Sequence, residues 1–217
     1  MSVYHPLNDD HGQRVVLSTP SSPTSLSSWT DPKALATVVP GGPLPSSLNG
    51  IAFSKWEAPA PEPDIWQAML GDLPFTIASA PPMSVATGHK PAAGTIILEP
   101  DGRVWIIHPS NAFGGYSATF PKGKRDPGWS LEATAVREAY EEAGLHVQLV
   151  SWLTDVTRST SVCRYYLARR IGGSPASMGW ESQAVSLVPR SLLAEVLKHP
   201  NDAAILEALR KGWLLSP

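Results

Sequence analysis

"GKRDPGWSLEATAVREAYEEAGL", residues 123–145, decides how the rest of the chain is read. Glu138, Glu141 and Glu142 stand three and four residues apart, so a helix through them carries all three carboxylates on one face. Like charges at this spacing weaken a helix by about 0.2–0.5 kcal/mol per pair, and a solvated face would dilute them with lysine. A hard divalent cation gives a physical reason for the crowding. Mg²⁺ and Mn²⁺ take oxygen ligands, and the ion's charge reverses the local balance. The helix is expected from Leu131 to Ala143, with Ser130 as its cap, Glu132 favourable in its first turn and Gly144 at its left-handed exit. Just upstream, "FPKGKRDPG" places Lys122, Lys124 and Arg125 in a glycine-containing loop, where cations and backbone amides can meet an anion. Metal and phosphate clamps would then adjoin.

Working outward, "GTIILEPDGRVWIIHP" reads as two strands around a Pro-Asp-Gly turn, and "GGYSATF" as a third strand. Beyond the helix, "VQLVSWL", "SVCRYYLAR" and "SQAVSLV" read as strands. Tyr165 and Tyr166 are expected to point to opposite faces, one into the core and one toward a groove. "PRSLLAEVLKH" and "NDAAILEALRKGWLL" read as closing amphipathic helices, the second capped by Asn201 or Asp202. The fold class is α+β, a mixed sheet covered by helices, over residues 91–217.

Residues 1–90 differ in kind. They hold 13 of the 22 prolines, and "STPSSPTSLSS" and "EAPAPEPD" read as extended chain. Yet Ile51, Phe53, Trp56, Ile65, Trp66 and Leu70 would be costly to leave in water. This Pro/Ser-rich segment is therefore expected to be an arm packed on the core or on the partner in a homodimer, with a short helix capped near Asp64.

Composition excludes several classes. A formal net charge of -2 gives no bulk attraction to nucleic acid. One cysteine, Cys163, allows no internal disulfide and reads as a small buried hydrophobe. The N-terminus has no basic segment followed by an apolar run, and no stretch approaches the roughly 20 apolar residues of a membrane span. The expectation is a cytoplasmic protein without a membrane partner.

Gly123, Arg137, Glu138, Glu141, Glu142, Gly144 and Leu145 fall in the register of the Nudix box, and over residues 92–210 the chain resembles that family. The resemblance implies an α/β/α sandwich and a Mg²⁺- or Mn²⁺-dependent attack of water on a pyrophosphate in a nucleoside diphosphate linked to another moiety. It implies Glu138, Glu141 and Glu142 as metal ligands, Arg137 as the residue that orients a glutamate, and Lys122, Lys124 and Arg125 as contacts to phosphate. The departure is Trp129, which stands where the family has its first glutamate. Its indole could stack on a base or close the site, or it could pack against the sheet edge or the arm. Glu132, three residues later, faces away from the metal cluster.

"MGWESQAVSLV" resembles a late segment of the family's dinucleoside polyphosphate hydrolases, which makes Glu181 a candidate general base, with Glu141 or Glu142 as the other choices. "FPKGK" resembles the dinucleoside and diphosphoinositol polyphosphate branches. A proline about sixteen residues past the box, often present in members acting on ADP-ribose, is absent here. The resemblance thus places dinucleoside or diphosphoinositol polyphosphate ahead of ADP-ribose, with no nucleic-acid partner beyond a capped RNA end. The alternative class is a Nudix domain that has lost hydrolysis and serves as a ligand-sensing or regulatory module. His108 reads as a satisfied histidine at a strand end rather than a catalytic one.

Overall fold

The computed structural model describes residues 2–214. The first 90 residues alternate short anchors with turns. A hairpin of β1 (Val3–Asn8) and β2 (Arg14–Leu17) comes first, then α1 (Ser27–Thr30), β3 (Ala36–Val38), a small hairpin of β4 (Ser47–Leu48) and β5 (Ile51–Ala52), α2 (Pro63–Met69) and α3 (Phe75–Ala78). The second part holds β6 (Lys90–Leu98), β7 (Arg103–Pro109), β8 (Lys122–Lys124), α4 (Leu131–Ala143), β9 (Leu145–Thr157), β10 (Ser161–Gly173), β11 (Ser182–Pro189), α5 (Leu193–Val196) and α6 (Ala203–Leu214).

Seven strands make one mixed sheet in the order β3-β11-β7-β6-β10-β9, with β8 paired to β6. β10 runs parallel to β6, placing Tyr165 opposite Gly94, and β9 returns antiparallel along β10. Both faces are covered, as an α/β/α sandwich requires. On one face α4 and the arm bury Trp29, Trp66, Trp105, Ile97 and Tyr166; on the other α5 and α6 bury Ile96, Ile106, Phe120, Tyr165 and Ile205. Tyr165 and Tyr166 do point to opposite faces, but neither reaches a groove, because a helical layer covers each.

α4 spans the expected residues. Ser130 Oγ accepts from the Ala133 N–H at 3.0 Å, and Gly144 leaves the helix at φ 66°. A side chain at Gly144 would meet the Ser174 carbonyl at 2.3 Å, so both its φ and the close approach of the β10 exit require glycine.

Four local expectations are corrected. "GGYSATF" is not a strand. Residues 110–115 form an irregular 3₁₀ turn with Asn111 at φ 56° and Ala112 at 46°; only Thr119 bridges to Ile107, and the strand comes later, at β8. "PRSLLAEVLKH" shrinks to the four-residue α5 behind a 3₁₀ turn at Arg190–Leu192, which Pro189 precedes. α2 starts at Pro63 with Glu62 in the cap position, and Asp64 lies inside its first turn. Asn201 and Asp202 sit in a 3₁₀ turn before α6, where Asn201 Nδ2 donates to the Tyr116 hydroxyl at 2.9 Å.

Two arginines of the sheet hold the arm. Arg103 on β7 donates to the carbonyls of Ser28, Trp29 and Asp31 and pairs with Asp101 at 2.7 Å. Arg170 on β10 donates to the Leu48 carbonyl at 2.9 Å and to Glu99 at 2.6 Å. Glu99 also accepts from Trp105 Nε1 and from Asn49 Nδ2 in the arm. Further along, Trp56 stacks on His146 at 3.9 Å and meets Tyr140 edge-on.

Candidate active site

The three box glutamates project from the middle and end of α4, but they are not equivalent. Glu138 and Glu142 are buried, while Glu141 is exposed. The Glu138 carboxyl lies against β8, where a Cβ on Gly123 would stand 2.0 Å from its Oε1. Only glycine leaves room for that carboxyl. Glu142 Oε2 accepts from the Lys122 main-chain N–H at 2.6 Å, which fixes β8 against the helix.

These carboxyls hold protons more tightly than free ones. For Glu138 the first cause is burial, and the charges of Glu142 and Glu141 add to it, while Arg137 offsets part. Burial also raises Glu142, against the opposing effects of the Lys122 charge and its N–H. Glu141, whose side chain is half exposed, is raised by the chain packed around its covered half, with Arg137 the main offset. Arg137 is nearly covered. Its guanidinium pairs with Asp126 at 2.9 Å, lies 3.5 Å from Glu138 and 3.6 Å from Glu141, and rests on the Trp129 ring at 4.2 Å.

Trp129 is therefore a packing residue. It is 6% exposed, held between Arg137 and Trp66 of the arm, so its indole has no free face for a base. Glu132 accepts from the Tyr166 hydroxyl at 2.7 Å, on the side of the helix away from the glutamate face.

The donor set fits a hard divalent cation. All its ligand atoms are carboxylate oxygens, and burial with mutual repulsion gives them a reason to accept positive charge. Among the described residues no three His, Cys, Asp or Glu side chains already converge as a closed cage. Glu142 is turned instead onto the Lys122 N–H.

Glu181 lies in the turn before β11. Its side chain reaches solvent, yet surrounding chain raises its proton affinity, and the negative charge of Asp10 adds to this. The turn is fastened on two sides: the Gly179 N–H donates to the Glu141 carbonyl at 2.7 Å, and the Ser110 N–H donates to the Glu181 carbonyl at 2.7 Å. Glu181 thus stands beside the end of the helix that carries Glu141 and Glu142.

The basic residues expected in a loop divide, for Lys122 and Lys124 are the two ends of strand β8, whose pairing with β6 makes the segment a strand. Lys122 stays close, its charge acting on Glu142 and Glu181 and its ammonium 5.2 Å from the Tyr116 ring. Lys124 and Arg125 are exposed and pair with no carboxylate among the described residues. His108 is satisfied by the Ser117 carbonyl and the Ser186 hydroxyl, and burial lowers its pKa, as befits a neutral structural histidine. Cys163 is fully buried, with its thiol pushed up to about 11 by burial.

The structure adds groups that sequence reasoning missed. Arg158 donates to the hydroxyls of Tyr116 and Tyr165 and lies 3.7 Å from the buried Asp202, while His199 stacks on Tyr116 at 3.8 Å. Asp10, from the N-terminal hairpin, accepts from Trp180 Nε1 at 3.1 Å. Only folding joins these distant segments, though the turn-like "NDDHG" around Asp10 could have marked the hairpin.

Comparison with known proteins agrees with this architecture. RNA pyrophosphohydrolase of Caulobacter vibrioides is 38% identical over 71 residues, covering 30% of this chain and 41% of that protein. RNA pyrophosphohydrolase of Shewanella frigidimarina is 40% identical over 85 residues, 39% of this chain and 45% of that one. The chain thus spans less than half the length of these relatives. A NUDIX hydrolase structure from Nitrosomonas europaea superposes with a TM-score of 0.50 over 61% of this chain and 76% of that chain, at 18% identity, a likeness of fold alone. No helix among the described residues is long and apolar enough to cross a membrane. The family model described as NUDIX domain matches residues 88–209, more than half of the chain and the whole stretch from β6 into α6, so the chain belongs to the Nudix family.

Proposed function

We propose that this chain is a divalent-metal-dependent Nudix hydrolase that cleaves a phosphoanhydride bond in a small polyphosphate or a nucleoside-diphosphate-linked molecule. The observation that carries the reading is the burial of Glu138 and Glu142 beside Glu141 on one helix face, against a glycine that leaves room for a carboxyl. Charged groups crowded this way destabilise a fold and are kept where they bind something.

Glu138, Glu141 and Glu142 would hold Mg²⁺ or Mn²⁺, which when bound supplies charge neutralisation at the phosphate oxygens. Arg137 steadies Glu138 and Glu141 through its two contacts at about the same distance. Glu181 serves as general base, taking the proton of the attacking water as its oxygen bonds to phosphorus and the bridging P–O bond breaks. Burial and the Asp10 charge raise its proton affinity, which makes it a stronger base than a free carboxylate. Glu141 and Glu142 remain the other candidates for that role. Lys122 meets the non-scissile phosphates, and Lys124 and Arg125, free at the surface, extend that positive rim.

Dinucleoside polyphosphates and diphosphoinositol polyphosphates come first as substrates, then ADP-ribose. The names of the curated relatives add the pyrophosphate at an RNA end. A second reading, a sensing module without turnover, is favoured by Trp129, which stands where the box has its first glutamate. The test is a panel of diadenosine tetraphosphate, diphosphoinositol phosphate, ADP-ribose, NADH and 5′-triphosphorylated or capped RNA, each with Mg²⁺ or Mn²⁺. Hydrolysis of at least one that chelator abolishes is the expected result. Tight binding without hydrolysis of any supports the sensing module.

A further inference from the structure

The N-terminal hairpin lies wholly before residue 88, where the family match begins, yet it is fastened to the turn that carries Glu181. Its tip is tightly made. Asp9 Oδ1 accepts from the His11 and Gln13 N–H groups at 3.0 and 2.7 Å, and the Gly12 N–H donates to the Asp9 carbonyl at 2.9 Å. That turn presents Asp10, whose Oδ1 accepts from Trp180 Nε1 at 3.1 Å.

The foot of the hairpin is fastened to the same segment. Gln183 Oε1 accepts from the Ser18 N–H at 2.7 Å, and Gln183 Nε2 donates to the carbonyls of Thr19 and Pro109 at 3.0 and 3.3 Å. Trp180 and Gln183 flank Glu181 in sequence, so the hairpin grips the turn on either side of it. From the domain side, the Ser110 hydroxyl donates to the Trp180 carbonyl at 2.6 Å. A turn held at so many points does not sample many positions, and a base must stand within hydrogen-bond reach of the proton it takes.

We propose that the N-terminal hairpin is a positioning element for the proposed base, with Asp10 acting through the Trp180 indole and Gln183 through Ser18 and Thr19 to hold Glu181 at the glutamate face. This rests on Glu181 serving the hydrolysis proposed above. Asp10 acts as a hydrogen-bond acceptor, touching neither substrate nor the reacting atoms, which sets a clear contrast between its two simplest replacements. Asn keeps an oxygen for the indole N–H, and Ala does not.

The experiment uses the full chain, with diadenosine tetraphosphate and Mg²⁺ as the kinetic probe and amide hydrogen exchange over residues 179–183 as a readout independent of activity. Asp10→Ala should lower kcat on the order of 10-fold with KM within about 2-fold, as displacement of a reacting group does. Trp180→Phe should match it. Because Asn also removes the charge that raises Glu181's proton affinity, turnover is compared on the alkaline plateau of each variant's pH profile; there Asp10→Asn should keep turnover near the starting value, and Asp10→Ala added to Glu181→Gln should cost little more than Glu181→Gln alone. Exchange at 179–183 should speed up in Asp10→Ala and not in Asp10→Asn. The proposal is overturned if Asn is as damaging as Ala, if the Asp10 effect survives in full without Glu181, or if exchange in Asp10→Ala is unchanged. Should the intact chain leave diadenosine tetraphosphate untouched, that failure belongs to the choice of substrate, and the exchange measurement alone decides whether the hairpin holds the turn.

Discussion

Buried charge is handled in opposite ways at the box helix and where the arm meets the sheet. At the arm, Arg170 and Glu99 lie at 0% and 1% side-chain exposure and answer each other at 2.6 Å, with Leu48, Trp105 and Asn49 completing the set. At the box, Glu138 and Glu142 are buried beside a third carboxylate, and the nearest arginine contacts are 3.5 Å or longer. The first arrangement satisfies its charges internally, as a structural joint must. The second leaves charge to be satisfied from outside, as a binding site does.

The largest effect expected from this contrast is on the arm side. Removing residues 1–85 takes away Trp29 and Trp66, the β3 edge of the sheet and the carbonyls that Arg103 and Arg170 grip. Burying each large side chain is worth roughly 1.5–3 kcal/mol, so the loss is comparable with the whole stability of a typical domain, about 5–15 kcal/mol. The truncated chain should be poorly soluble or melt far lower. In the intact protein the amides of residues 51–70 should be protected from exchange; free exchange there would show that the arm is not held.

On the box side the same kind of change should act on turnover and leave the fold alone. Glu142→Gln removes a charge and little volume. Hydrolysis should fall on the order of 1,000-fold, while the melting temperature in chelator stays level or rises as repulsion is relieved. Near-normal turnover of Glu142→Gln and Glu141→Gln at saturating Mg²⁺ would remove the box from the active site. Its counterpart, Arg170→Met, strands Glu99 in the interior and should cost about 3–5 kcal/mol. With Mg²⁺ and substrate saturating, the fraction that remains folded should turn over normally. A loss of kcat in that folded fraction would mean that the joint and the site are not separate.

This difference also explains what the sequence could show. The box is local: Ser130, Gly144 and the glutamate spacing lie within one helix, so periodicity and capping found it to the residue. Strands β6, β7, β9, β10 and β11 were legible for the same reason, because each holds an apolar run, whereas β8 is Lys-Gly-Lys and owes its strand to pairing with β6. The joint is not local. Arg170 meets Leu48 122 positions away, and nothing near either residue signals the other. β3 was missed because three residues carry little pattern, and its partner β11 supplies the reason for it to be a strand. "GGYSATF" misled in the reverse direction: its β-prone Tyr116 and Thr119 are real, but the left-handed residues before them turn the chain off the sheet. Trp129 could be read two ways because the arm residue that covers it, Trp66, is 63 positions earlier.

Asp202 falls between the two cases, and its ionisation decides to which it belongs. It is wholly buried, and its nearest cation, Arg158, is 3.7 Å away. Burial pushes its carboxyl up to about 6 from an ordinary value of 3.8, against the opposing charges of Arg158 and Lys122. Between those two values the folded protein binds more protons than the unfolded chain, so this residue's contribution to stability falls as pH rises from 3.8 through 6, and is constant above. Asp202→Asn removes that slope while other groups keep theirs. The wild type's stability relative to Asp202→Asn should therefore be greatest near pH 4 and decline by roughly 1–3 kcal/mol by pH 7, a few degrees in Tm. A difference that stays flat across this range would mean that Arg158 holds the carboxylate fully ionised. Asp202 would then join Glu99 among the satisfied charges of the scaffold, and the unsatisfied ones would be confined to the glutamate face.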